Sequence, residues 1–595
     1  MADLADAAGR PLMSGLIVAC ARPGTELPYS ADDLRRCAAR LSPDNFTPHA
    51  PRLLADPGLI AAVVNPMPDL PRAPGAVCLG GLVGAHDGWD ATGSPRPDGS
   101  YAICRFDAER LELVTDNLAS RALWYVLSGD VLLASTSQRA LVCLLGDLRL
   151  NDAAVAWLAS SGTLGPDNAW DTRLRRVPAA TVLSLDRRAW TLKQATESLE
   201  HEPEPLPDAV HLQRWREAIL ETCAELDVSL DTWLLPLSGG LDSRTLLAAL
   251  VAGGRRPRCV TWGLRRSLED PASDSVVARR LAAYYGVDHS FFPTDPGDEP
   301  PRVLIDRFLV AGEGRTDQIA GYLDGLAIWK TLFDEGVTGV IRGDEPGWGY
   351  SAVHSDTYVR RRAHFETVPD YPPNHLIRHL GLAPQPLPDW TQRRAGESLI
   401  HLRDRLYERQ AFPVHLAPLN DVKCAYVEIV NPFLSDRIVG VARELPEKLS
   451  SQRDGFKAVV SALGPDVPMA KHSAIVGSSR LLSSSRSVIE ELMAELSSAD
   501  AERICERRGL DRIVAGLRKP GSAPARRRLR NGVRTVVPRR VRVLVHPDPA
   551  LTLSTFILAL RLHMASRMAA TLNADATVLR ARDGAPTPPP HATGV

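Results

Sequence analysis

The stretch LLPLSGGLDSRTLLAAL, Leu234 to Leu250, constrains the fold more than any other part of this chain. A short apolar run leads into a glycine pair, and a run with helical apolar spacing follows at once. A strand delivered straight into a helix by a tight turn is the unit from which parallel α/β sheets are built. Such a junction also gathers backbone N–H groups at the positive end of the helix dipole, the arrangement that holds phosphate. A tight turn with no ligand has the same backbone pattern, so the residues around it must decide.

The flanks support a parallel sheet. TWLLPL precedes SRTLLAALVAGG, RCVTWGL precedes SDSVVARRLAAYYG, and GVTGVIRGDE follows the helical YLDGLAIWKTLFDEG. Residues 13 to about 195 read differently. Short β-like runs such as GLIVAC, AVCLGGLVGA and SYAICRFD, separated by Gly, Pro and Asp turns, predict a mostly antiparallel sheet domain with a few helices. HEPEPLPDAVHLQ, from His201, breaks periodicity with three prolines and reads as a linker. At 595 residues the chain exceeds what one core serves. We expect domains at 1–200 and 207–480, a helical, partly basic extension at 481–580, and a disordered tail at 581–595.

Composition excludes more than it proposes. A formal net charge of -1 with 24% charged residues gives no reason to expect a nucleic-acid or membrane partner. The nine cysteines are scattered singly, without a CxxC pair, and read as the reduced thiols of a cytoplasmic protein. No apolar run approaches the roughly 18 to 20 residues of a membrane span, and the N-terminus lacks the basic region of a signal peptide.

The full loop string is Ser238-Gly239-Gly240-Leu241-Asp242-Ser243, which matches neither GxxxxGK[ST] nor GxGxxG. It resembles the SGGxDS signature of the PP-loop ATP pyrophosphatases, which cleave ATP between the α- and β-phosphates. The resemblance implies that the N–H groups of Gly239 and Gly240 and the hydroxyls of Ser238 and Ser243, following Leu237, take the pyrophosphate oxygens. It also implies that Asp242 holds a Mg²⁺ bridging the phosphates.

Residues from roughly 13 to 475 resemble the asparagine synthetase family, which joins a glutaminase-type, Ntn-hydrolase-like αββα sandwich to a parallel-sheet PP-loop synthetase domain. VTWGL puts Val260 and Thr261 where the family contacts adenine and ribose. IRGDEPGWGY resembles the second pyrophosphate loop, with Gly343, Asp344 as the second Mg²⁺ ligand and Glu345 as its neighbour; by itself it is also a surface turn with solvated acids. VEIVNPFLSD resembles the family's E-x-R-x-P-[FY]-L-D segment, with Glu428, Pro432, Phe433 and Leu434 in place. Val430 stands where the pattern has Arg, and Ser435 is inserted before Asp436. Glu428 is then either the group that orients or deprotonates the attacking amine or a carboxylate that caps or pairs in a helical domain. In RDGFKAVVSALG, Lys457 matches by position the lysine that stabilises the acyl-adenylate transition state, although Lys-x-x-Leu-Arg has become Lys457-Ala-Val-Val-Ser. An exposed helix lysine is the plain alternative.

Family members that use glutamine begin Met-Cys-Gly, with the Cys as N-terminal nucleophile. Here the match is Met13-Ser14-Gly15 behind a twelve-residue extension, so Ser replaces Cys and its amine sits in a peptide bond. Ammonia from glutamine is therefore not expected unless processing exposes Ser14. Cys20, in LIVAC, reads as a buried structural thiol. The amine then comes from the same substrate, from a second one, or from free ammonia.

Relatives with a silent glutaminase domain include β-lactam and carbapenam synthetases and the macrolactam cyclases of lasso peptides. The resemblance implies ATP and Mg²⁺, a carboxylate-bearing peptide or small molecule and, for a peptide cyclase, a leader-peptide-binding protein and a protease. The basic stretch from Arg518 to Arg542 either helps hold a leader peptide or is a solvated arm. Glu313 and Asp317, in AGEGRTDQIAGY, are read as substrate contacts or helix-start acids. A glutamine- or ammonia-dependent asparagine synthetase and a non-catalytic nucleotide-binding scaffold remain alternatives.

Overall fold

The computed structural model describes residues 15–66, 72–84, 88–197, 200–344, 353, 355–451, 453–518 and 551–580. Ser14, Glu345, the 519–550 part of the basic stretch and the 581–595 tail, all named above, lie outside the described residues.

The molecule is mixed α/β, with two antiparallel sheets and one parallel sheet among the described residues. In the first sheet Gly15–Ala21 runs between Leu59–Val64 and Val131–Ser135; in the second, Gly99–Phe106 runs between Ala76–Leu82 and Arg110–Thr115. The two-residue period of the strands sorts their side chains. Leu16, Val18 and Cys20 join Leu79, Ala102, Cys104 and Leu113 in one core. Ile17 and Ala19, on the opposite face, join Leu34, Cys37 and Leu141 from the helices Ala31–Leu41 and Gln138–Leu145. The layers run helix, sheet, sheet. Cys20 is fully buried, and all nine cysteines are buried free thiols.

The third sheet is five-stranded and parallel, in the spatial order His289–Pro293, Arg258–Gly263, Trp233–Pro236, Gly339–Ile341, Glu428–Val430. Both faces are covered, which is why these strands are continuously apolar. Leu234, Val260, Val340 and Ile429 enter one core, while Leu235, Cys259, Ile341 and Val430 enter another. In chain order the strands read third, second, first, fourth, fifth, so the direction of winding reverses at Trp233–Pro236. Ligands of open parallel sheets bind beyond the carboxyl ends of the strands at that reversal.

The second antiparallel sheet meets the parallel sheet edge-on. A Cβ on Gly81 would stand 2.7 Å from Val430 Cγ2, so the valine methyl fills the space that glycine leaves. This contact accounts for the departure at position 430, since a guanidinium has no room there. The inserted Ser435 caps the helix Asp436–Glu444 and its Oγ lies 3.1 Å from Thr222 Oγ1.

The C-terminal part is helical, ending in Thr555–Asp575. This last helix binds both sheet units: Arg561 donates to Asp317 and to the Ser160 carbonyl, Arg567 to Asp306, and Asp575 accepts from the buried Arg139. No helix among the described residues is long and apolar enough to cross a membrane.

Candidate functional site

Two loops leave the sheet at the reversal point. Residues 238–240 follow Trp233–Pro236 and open into the helix Leu241–Ala252, whose N-cap is Gly240 and whose first turn has no side-chain cap. Residues 342–344 follow Gly339–Ile341. Between them they bring together Asp242 and Asp344, both partly shielded from solvent, with side chains 25% and 12% exposed.

The two carboxylates are held differently. Asp344 accepts from Arg342 at 2.7 Å and from Asn420 Nδ2 at 3.0 Å. Burial pushes its pKa up, but Arg342, Lys423 and Asn420 outweigh that and hold it below the ordinary value. Asp242 Oδ1 is buried with no hydrogen-bond partner among the described residues, and Oδ2 lies 3.7 Å from Arg453. Burial raises its pKa, Asp344 adds to the rise, and Arg453 opposes it. An orphaned buried carboxylate oxygen beside a second carboxylate calls for a cation.

The loop's own donors are engaged. Gly239 N–H donates to Asp274 Oδ1 at 3.0 Å, Gly240 N–H to Ser238 Oγ at 3.2 Å, and Ser238 N–H to Ser243 Oγ at 2.9 Å; the two serine hydroxyls lie 3.0 Å apart. The Asp274 carboxylate thus occupies the Gly239 N–H and the Ser238 hydroxyl the Gly240 N–H. Leu237 N–H donates to the Val260 carbonyl, and the Thr261 hydroxyl donates to the Leu237 carbonyl while facing His289 Nε2 at 2.8 Å. Val260 and Thr261 thus brace the loop from behind, and the Thr261 hydroxyl is already used. The segment after Pro465 lies over the loop, with Ala470 N–H donating to the Gly239 carbonyl.

Glu428 and Lys457 are held by other partners. Glu428 is level with Gly339 and Trp233, at the amino end of the sheet. Ser238 lies beyond the carboxyl end of the Trp233–Pro236 strand. Glu428 is fully buried, 3.7 Å from Arg121 Nε, with Oε2 lacking a hydrogen-bond partner among the described residues; burial raises its pKa. Lys457 is exposed, and its Nζ lies 2.8 Å from Asp454. In the helix Asp454–Leu463 it is Phe456, Val459 and Val460 that turn inward, which carries position 457 outward. Arg453, just ahead of that helix, is the cation that reaches Asp242.

Glu313 and Asp317 also act elsewhere. Glu313 is buried and accepts from Ser137 Oγ and the N–H groups of Gln138 and Arg139, capping a helix of the N-terminal unit. Asp317 is taken by Arg561 at 2.7 Å.

Sequence reasoning missed Asn420 and Lys423, one turn apart on Ala417–Cys424. Lys423 Nζ donates to the Leu419 carbonyl at 2.7 Å and to Asn420 Oδ1 at 3.2 Å, one residue removed from Asp344. Burial, with Arg342 adding to it, brings its pKa down to about 7. The available signal was a lysine set between Val422 and Cys424, at a position that the helical period turns inward.

No family model matches the chain, and no curated protein matches it. Among solved structures, a glutamine phosphoribosylpyrophosphate amidotransferase from B. subtilis complexed with ADP and GMP is 12% identical over 48% of this chain and 83% of its own, with a TM-score of 0.22. An allosteric regulatory enzyme of purine biosynthesis is 12% identical over 58% of this chain and 87% of its own, also at 0.22.

Proposed function

We propose that this chain is an ATP-dependent, AMP- and pyrophosphate-forming amide ligase. In this reading an Ntn-hydrolase-like N-terminal domain precedes a PP-loop synthetase domain of the asparagine synthetase kind. The observation that carries the reading is the pairing of Asp242, with its orphaned Oδ1, and Asp344 at the reversal point of a parallel sheet, beside an uncapped helix N-terminus.

Asp242 and Asp344 are the residues that would hold Mg²⁺. Hard cations of this kind take few protein carboxylates and keep waters; Arg342 pairs with Asp344 and Arg453 reaches Asp242 Oδ2, and Asp242 Oδ1 is left for the ion. When bound, the ion offsets the charge of the nucleotide phosphates. Asn420 and Arg342 fix Asp344 in place. The N–H groups of Gly239 and Gly240 bind the departing pyrophosphate by exchanging their bonds to Asp274 and Ser238. A substrate carboxylate oxygen displaces pyrophosphate from the α-phosphorus, and an amine then displaces AMP from the acyl carbon and loses a proton.

Ser14 in place of an N-terminal cysteine supports an amine other than glutamine-derived ammonia, and an amine on the same substrate makes the second step unimolecular. The product is then a macrolactam or other cyclic amide. The test is ATP–pyrophosphate exchange across a panel of carboxylates that includes peptides encoded beside the gene. Exchange that depends on one carboxylate and is lost in Asp242→Asn supports the ligase. No exchange with any of them, with ATP bound equally by wild type and Asp242→Asn, refutes it.

A further inference from the structure

Far from the nucleotide loops, the helices Arg486–Leu496 and Thr555–Asp575 pack together and bring three metal-ligating side chains into one place. Glu491 and Glu495 lie one turn apart on the first helix, and His563 faces them from the second. One donor atom from each falls within 4.8 Å of the others. We infer that Glu491, Glu495 and His563 form a binding site for one divalent transition-metal ion of the zinc class, which fastens the C-terminal helix to the rest of the molecule.

Geometry and composition support this. Donors on a tetrahedral zinc stand about 3.3 Å apart, given ligand bonds of about 2.0–2.1 Å, and His563 Nε2 lies 3.3 Å from Glu491 Oε1. One imidazole with two carboxylates leaves a fourth position for water. Ser566 Oγ donates to Glu495 Oε1 at 2.6 Å, the kind of outer bond that orients a liganding carboxylate.

The histidine is fully buried, and its Nε2 is the nitrogen that faces the carboxylates, 3.3 Å from Glu491 Oε1. Charge points the same way. Glu491, Glu495 and Asp306 are set against Arg302, 3.8 Å from Glu491, and Arg567, which is paired with Asp306. With the His563 imidazole neutral, as a metal ligand must be, three carboxylates against two guanidiniums leave one negative charge for a cation to offset. Arg302 is half exposed and also pairs with Asp306 at 3.9 Å, so Glu491 is not its sole partner.

The site has a structural purpose within the fold. Thr555–Asp575 reaches the N-terminal unit through Asp575 and Arg139 and the parallel-sheet unit through Arg567 and Asp306. A metal bond at His563, one turn before Arg567, would add a third anchor and hold the helix in register for both units.

The experiment is zinc titration and thermal unfolding of the full-length protein, with Glu491→Gln and a Glu491→Gln/Glu495→Gln double variant, all in an Asp242→Asn background to silence the other carboxylate pair. The expected result is one tight equivalent of Zn²⁺, a Tm raised by the ion and lowered by chelator, and affinity reduced about tenfold or more, 1.4 kcal/mol, in each variant. Cobalt substitution should give the visible spectrum of a tetrahedral site, absent from the double variant. Glu491 is partly exposed, so its substitution leaves the fold testable by circular dichroism. No zinc binding to the parent, or equal binding in parent and double variant, would show that His563 and Glu491 are a plain ion pair.

Discussion

Gly343 lies directly against Asp242: a Cβ built on the glycine would stand 3.2 Å from the Asp242 carbonyl carbon and 3.3 Å from its Cβ. The second loop is therefore packed on the first, and this contact sets the spacing of the two carboxylates. Gly343→Val should push the loops apart. The expected outcome is at least about tenfold weaker Mg²⁺-dependent ATP binding, with Tm changed by only a few degrees. Unchanged nucleotide affinity would mean that the spacing is irrelevant.

Asp274 presents a carboxylate to the Gly239 N–H at 3.0 Å, where an incoming phosphate oxygen would bind. Removing its charge should help the anion. Asp274→Asn is expected to tighten pyrophosphate binding by about tenfold at low salt, with a smaller gain at high salt because charge repulsion is screened. Calorimetric titration checks it, and weaker binding in the variant would assign Asp274 to the ligand instead.

The Val430–Gly81 contact is a packing device at the join between the sheets. Restoring arginine at this position, Val430→Arg, places a guanidinium against a glycine backbone with no space for it. The expected cost is about 3 kcal/mol or more, read as a fall in the urea midpoint. Gly81→Ala should also cost stability, because its methyl meets the Val430 side chain, and the double variant Gly81→Ala/Val430→Ala should recover part of that second loss.

Asp98 and Asp436 meet at the same join, where Asp98 Oδ1 accepts from the Asp436 N–H at 2.6 Å. Burial first, and the Asp436 charge second, push the Asp98 pKa up to about 6. Because the folded value lies above the unfolded one, ionisation costs stability: the cost is absent below about pH 4 and complete above about pH 6. Asp98→Asn should therefore be more stable than wild type by about 1–2 kcal/mol at pH 8, discounted for partial exposure. That advantage should disappear near pH 3.5, and a gap that does not change with pH would contradict the assignment.

What could be read from the sequence was what local pattern encodes. The strand, turn and helix of Leu234–Leu250 are visible because apolar spacing switches period within a few residues. The two acids of the site sit at fixed offsets in their loops. What stayed hidden depends on contacts across long separations: Val430 seated against Gly81, Glu313 capping the helix at Gln138, and Asp317 taken by Arg561. Each of these residues looks like a site residue or a motif departure until its distant partner is known. Glu428 and Lys457 have partners that their motifs do not show, Arg121 and Asp454. One stands at the amino end of its strand, and the other is turned outward by the period of its helix. Lys423 was missed because spacing alone does not tie it to Asp344.

In the proposed ligase Asp242 and Asp344 act together on a Mg²⁺-bound nucleotide. Calorimetric titration of ATP into wild type, Asp242→Asn and Asp344→Asn, each with Mg²⁺ and with EDTA, measures this directly. The expected result is binding to wild type that requires Mg²⁺ and weakens by about 100-fold, 2.7 kcal/mol, in either variant, with folding intact by circular dichroism. Wild type that binds no ATP, or binding that is equal in all three proteins and indifferent to Mg²⁺, would contradict it.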